Sequence, residues 1–178
     1  MKMRSLFSVT AIALSIMAGP AASDSLTTEQ IIEKLRPPAN SRSLSKTRGI
    51  KVEVGSVDET RNPTVNLYVN FAYNSAVLEQ DAKITLDRLG AALSDSRLAD
   101  WEFLIGGHTD AKGGVSYNLD LSDRRAAAVR DYLISEYSIS ERRLIDKGFG
   151  ESRLLDPAHP NDGVNRRVQI TTLAIPQQ

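Results

Sequence analysis

No cysteine occurs anywhere in the 178 residues. Disulfide staples, thiolate metal ligands and a cysteine nucleophile are therefore excluded, and so is a lipid carried on an N-terminal cysteine. Stability has to come from core burial alone. Histidine is nearly as scarce, with two residues, His108 and His159, and no HxH or HExxH spacing. A histidine-based metal centre has no ligand set to draw on, and His108 reads instead as a hydrogen-bonding residue at a strand end.

Net charge is missing as well. The 22 basic residues balance 22 acidic ones, so the chain lacks the basic excess with which a protein displaces counterions from nucleic acid. A charged ligand must be recognised locally. The GxSxG motif is absent, Gly106 and Gly107 do not form a phosphate loop, and the acids are scattered over exposed helical positions, so no carboxylate pair for glycosidic cleavage can be assigned. These absences argue against an enzyme, and no cofactor is implied.

A hydrophobic run of spanning length is also lacking. Lys2 and Arg4 precede an apolar stretch from Ser5 to Gly19, and Pro20, Ala21, Ala22 and Ser23 follow. That stretch falls short of the ~20 residues of a membrane-spanning helix, but matches a secretory signal cut near Ala22 or Ser23. Cleavage would leave 20 basic against 22 acidic residues, a net charge of −2, on an exported chain.

What remains has ordinary globular composition, 41% hydrophobic and 25% charged, enough for one modest domain with extensions. Thr27 and Gln30 fit a capping box, Leu26 and Ile31 a hydrophobic staple, and Pro37 and Pro38 end the helix so begun. The polar stretch 39–49 reads as a linker. Ile50, Val52 and Val54 alternate with polar residues, as do Val65, Leu67, Val69 and Phe71, which predicts two strands able to pair as a hairpin. Ala82, Leu86, Leu89 and Leu93 form one stripe of a helix over 79–95. Residues 101–105 predict a strand whose end delivers Gly106 to Asp110. Helical spacing returns from Tyr117 to Tyr137, and 147–150 and 167–173 look like two more strands. This order, β-α-β-α-β-β, most simply gives an α+β two-layer sandwich with helices on one face of a mixed sheet. Residues 24–63 then form an N-terminal helix, linker arm and extra strand ahead of a domain over 64–178.

The stretch HTDAKGGVSYNLDLSDRRA, residues 108–126, concentrates charge with almost no apolar filler. Arg124 has Asp120 four residues before it and reads as a solvated ion pair. Arg125 has Leu121, Ser122, Ala128 and Val129 at its helical neighbours, so no acid of its own helix neutralises it, and it calls for a carboxylate from elsewhere. Asp110 either caps a turn and pairs with Arg125, or shares a ligand with it. Residue spacing leaves both readings open.

The run GHTDAKGGVSYNLDLSDRRAAAVRDYL, with VNFAYNSAVL before it and RLIDKGFGES and NRRVQI after, strongly resembles the OmpA-like peptidoglycan-binding domain. That domain is shared by OmpA proteins, the peptidoglycan-associated lipoprotein and flagellar stator proteins, and the match covers roughly residues 64–173. The resemblance implies a domain that grips the diaminopimelate of a wall stem peptide, with Asp110 of TDAKG and Arg125 of LSDRRA as its principal contacts. It also carries over Thr109, Asn118 and Arg166. Asn74 stands where the family usually has Asp, exchanging a charged acceptor for an amide, and the segment before NRRV is shorter than usual. Non-covalent attachment to peptidoglycan, supporting envelope integrity, is the implied function. The alternative is an adaptor that docks an outer-membrane or periplasmic protein through the 24–63 arm.

Overall fold

The computed structural model describes residues 26–38, 62–72 and 74–173. The proposed signal segment and the candidate strand at 50–54 lie outside these residues. Helix α1, Thr28–Leu35, begins at the expected capping box, with Thr27 accepting from the Gln30 amide and the Gln30 side chain accepting from the Thr27 amide. It ends at Arg36, before the two prolines.

The remaining order is β1 Thr64–Leu67, α2 Gln80–Leu93, β2 Glu102–His108, α3 Val115–Tyr137, β3 Leu144–Gly150 and β4 Val168–Leu173. Single 3-10 turns occupy Glu141–Arg143 and Gly163–Asn165. The strands form one mixed sheet in the order β1-β4-β2-β3, in which β2 and β3 run parallel and β4 is antiparallel to both of its neighbours. This is the expected α+β arrangement. The expected strand through Phe71 is shorter, however: β1 stops at Leu67, and Phe71 bridges Leu78 across a local turn. In the other direction, β2 continues past Ile105 through Gly106 and Gly107 to His108.

Alternation places Val65, Leu67, Phe103, Ile105, Val168 and Ile170 in one core with Leu86, Leu89 and Leu93 of α2 and Ala126, Val129 and Leu133 of α3. Helix α1 lies ahead of the expected domain start at residue 64, yet Ile31, Ile32 and Leu35 belong to the same core. The Leu35 carbonyl also accepts from the buried Thr172 hydroxyl at 2.7 Å. Leu104, Phe149 and Leu173 form a smaller apolar cluster.

Two glycines let α3 lie directly on the parallel pair. A Cβ on Gly107 would come within 2.2 Å of the Ser122 carbonyl oxygen, and one on Gly148 within 2.4 Å of the Asp123 amide nitrogen. This close approach fixes where the first turns of α3 stand relative to the end of β2.

Candidate functional site

Strand β2 ends at His108 and hands the chain to Thr109 and Asp110, both buried. Buried His108 meets Gln169 of β4 through Nε2 at 3.0 Å and stacks on Phe149 with ring centroids 5.2 Å apart. The Thr109 amide donates to the Gly150 carbonyl at 3.0 Å, whereas its hydroxyl is buried with no hydrogen-bond partner. The loop end is thus pinned to the tip of β3.

The Asp110 carboxylate is held from two sides. Oδ1 accepts from the Lys112 amide at 3.2 Å, forming an Asx turn. Oδ2 accepts from Arg166 Nη1 at 2.7 Å. Of the two open readings, the one in which Asp110 pairs with Arg125 is corrected: Asp110 caps its turn, but its ion-pair partner comes from the segment just before β4. The pair is lopsided, since the Asp110 side chain is 9% exposed and that of Arg166 51%.

Asn118, buried in the first turn of α3, closes the loop. Its amide nitrogen donates to the carbonyls of Asp110 at 3.3 Å and Lys112 at 3.1 Å, and to Glu151 Oε2 at 2.6 Å. Gly113 makes the return possible with φ of +101°, a conformation that side chains rarely adopt.

Arg125, one helical face away, is half-buried. Nε donates to the Ser75 carbonyl at 3.0 Å and the guanidinium lies 4.9 Å from the centre of the Phe71 ring. Among the described residues it makes no ion pair with a carboxylate. Burial pushes its pKa below the ordinary arginine value; the neighbouring Arg166 and Arg124 charges add to that effect, while Tyr117 and Asp110 oppose it. Asn74 lies in the turn that presents Ser75, exposed and with φ of +53°, in the left-handed region that asparagine tolerates better than most residues.

The structure therefore brings Asp110, Asn118 and Arg166 into one hydrogen-bonded loop cluster, with Thr109 next to Asp110 and tied to Gly150. Arg125 sits within the field of Asp110, with the Asn74 turn alongside. Sequence reasoning missed the scaffold beneath this cluster. Asn165, fully buried, donates to the carbonyls of His159 at 3.0 Å and Pro160 at 3.3 Å and accepts from the Asp156 amide at 2.9 Å. Pro160 then accepts from the Ala111 amide at 2.9 Å. The only local signal was Asp162, which caps the Val164 amide at 2.9 Å; nothing near Glu151 announced its contact with Asn118.

No group of three or more His, Asp or Glu residues suited to a metal ion occurs among the described residues. No described helix is long and apolar enough to cross a membrane.

Comparison with known proteins adds independent support. The model of the OmpA family matches residues 70–167. Outer membrane protein A of Escherichia fergusonii is 34% identical over 122 residues, covering 67% of this chain and 49% of that protein. Outer membrane porin F of Pseudomonas aeruginosa is 33% identical over 107 residues, covering 59% of this chain and 30% of the porin. The chain thus spans about half or less of the length of these curated relatives. Among solved structures, the OmpA-like domain of FopA1 from Francisella tularensis aligns with a TM-score of 0.53 and 27% identity, covering 66% of this chain and 77% of that one. The cell wall anchor of the T6SS from P. aeruginosa aligns with a TM-score of 0.51 and 26% identity, covering 64% and 82%.

Proposed function

The chain belongs to the OmpA family, and from that premise we propose that it binds peptidoglycan non-covalently in the periplasm, using Asp110 and Arg125 to hold the distal end of diaminopimelate. That end is an amino-acid zwitterion, an ammonium beside a carboxylate. A matching site needs one anionic acceptor and one forked donor, neither already satisfied by the other.

The observation that carries this reading is the state of Arg125. Its guanidinium is half-buried and makes no ion pair among the described residues, although the buried carboxylate of Asp110 lies close enough to act on it. A ligand carboxylate would supply the missing counter-charge. Its ammonium would take the place of the half-exposed Arg166 on Asp110, so one ion pair is exchanged for another. Thr109, with its unmatched buried hydroxyl, and Asn118, through the loop it closes, shape the acceptor side. Asn74, in the turn beside Arg125, contributes a neutral amide where relatives usually place a carboxylate.

An envelope location agrees with the outer membrane proteins and the cell wall anchor among its relatives. The role is attachment of an envelope component to the wall, without catalysis. Uncrosslinked stems are preferred, because a crosslink converts the distal ammonium into an amide and removes the charge that Asp110 binds.

Calorimetric titration of the purified protein with three stem peptides tests the assignment: one ending in diaminopimelate, one in lysine, which keeps the ammonium but lacks the distal carboxylate, and one acylated on the distal amine. A charge-assisted hydrogen bond contributes about 1.5–3 kcal/mol, and ~1.4 kcal/mol is a factor of ten. The second and third peptides should therefore bind roughly ten- to a hundred-fold more weakly than the first. Equal affinity for all three would overturn the proposal.

A further inference from the structure

The two outer edges of the sheet are treated differently. On β3 the outward amides are covered by α3: the Gly150 amide donates to Ser122 Oγ at 2.8 Å and the Gly148 amide to Asp123 Oδ1. The Leu144 carbonyl accepts from Arg130 Nε at 3.1 Å. An edge whose main-chain groups are partly taken up by side chains is a poor template for another strand.

Strand β1 forms the opposite edge, and no described strand pairs with its outer side. The ladder to β4 fixes which groups face outward. The Thr172 amide donates to the Pro63 carbonyl, and Pro63 precedes the register Thr64↔Thr171 to Leu67↔Val168. Antiparallel alternation then turns the main-chain groups of Val65 and Leu67 toward β4, and those of Thr64 and Asn66 away from it. Along that side runs a groove of about 1250 Å³, with Thr64, Asn66 and Tyr68 on one wall and Lys34 of α1, Ile84 of α2 and Leu155 on the others. Tyr68, Ile84 and Leu155 are each about half exposed, so the groove carries exposed apolar surface beside main chain that no described strand pairs with.

We propose that this groove is the docking site of residues Ile50–Val54 of the same chain, which add to β1 as a fifth, antiparallel strand. The intervening chain joins two elements that both line the groove, α1 and β1. It departs after Pro38, just beyond α1, and returns at Asn62, two residues before β1. The nine residues from 55 to 63 suffice for a hairpin, but fall short of the dozen or more required by a parallel crossover. Phase agrees as well. Opposite residues of an antiparallel pair share a face, so Ile50, Val52 and Val54 can continue the buried stripe of Val65 and Leu67 over Ile84. Lys51 and Glu53 then lie on the face of Thr64 and Asn66. Every alternate residue of the segment finds the environment suited to it.

The absence of native cysteine makes disulfide trapping clean. Lys51→Cys or Glu53→Cys is combined with Asn66→Cys and oxidised in dilute protein, with Val52→Cys/Asn66→Cys as the out-of-phase control. Opposite residues of a ladder lie within the ~4.4–6.8 Å Cα separation that a disulfide spans. One of the two in-phase pairs should close within the monomer, and the control should not. Hydrogen exchange of the unmodified protein provides a second reading free of folding effects, with the Thr64 and Asn66 amides at least tenfold slower than free peptide. Unprotected amides, equal trapping in all three pairs, or no trapping would overturn the proposal. Trapping only between molecules would assign the strand to a second copy and overturn it equally.

Discussion

Arg124 and Arg125 are adjacent and chemically identical, and the helix gives them opposite roles. Arg124 meets Asp120 at 2.9 Å on an exposed face, a pairing that contributes little to stability. Arg125 turns toward Phe71 and Ser75. Arg124→Ala should therefore leave stem-peptide affinity within about twofold, while Arg125→Ala should lower it roughly ten- to a hundred-fold, at about 1.5–3 kcal/mol per charge-assisted bond. Calorimetry on the two variants checks both. This separation was legible in the sequence because i±3 and i±4 neighbours reveal a helical residue's surroundings. The partner of Asp110 was not legible in that way. Arg166 lies 56 residues away and reaches it only because β4 runs beside β2; helical spacing carries no information about sheet order.

At the level of elements, α3 does two jobs with one motif. Leu121, Ala126 and Val129 face the core, while Ser122 and Asp123 cap the amides of β3. Ser122→Ala should cost about 1–3 kcal/mol by leaving the buried Gly150 amide unmatched, visible as a lower denaturant midpoint. Gly107→Ala should be at least as damaging, since its Cβ would collide with backbone rather than with a movable side chain. Helix α1 is clasped from outside by Arg97, which meets Glu29 at 2.6 Å and Asp95 at 2.8 Å. Hydrogen bonds from Arg97 hold Glu29 below its usual range and Asp95 down to about 2. Both carboxylates have depressed folded-state values, so their contribution is present above the ordinary carboxylate range near pH 4. It is lost as pH falls toward about 2. Protection of the α1 amides relative to free peptide at the same pH should fall over that interval in the native protein, and an Arg97→Ala variant should lose this part of the dependence.

The ends of β1 and β2 show where pattern reading goes astray. Val65, Leu67, Val69 and Phe71 alternate in burial, but the chain leaves the ladder after Leu67. There the Asn70 carbonyl turns to accept from Glu79 and the Asn70 side chain meets Asp81 at 2.5 Å. Alternation records which side of a surface a residue faces, not what its main chain pairs with. At β2 the reverse holds: Gly106 and Gly107 carry no hydrophobic signal, yet both remain in the strand because their main chains pair with β3 and β4, while α3 leaves no room for a side chain at Gly107.

Over the whole molecule, the family match begins at residue 70, while the folded unit reaches back to α1. Ile31, Ile32 and Leu35 are fully or almost fully buried, and each such side chain contributes about 1.5–3 kcal/mol at most. Their sum approaches the ~5–15 kcal/mol that holds an entire domain together. A fragment starting at residue 62 should consequently melt without a sharp transition by circular dichroism, whereas one starting at residue 26 should melt cooperatively. The capping box and prolines made α1 legible as a helix, but nothing local could show which core receives it.

The proposed function has Asp110 and Arg125 hold one ligand from different elements, and co-sedimentation with purified diaminopimelate-type sacculi tests that proposal most directly. The native protein should pellet with the wall, and Asp110→Ala and Arg125→Ala, each confirmed as folded, should stay largely in the supernatant. Undiminished pelleting of both folded variants would contradict the account.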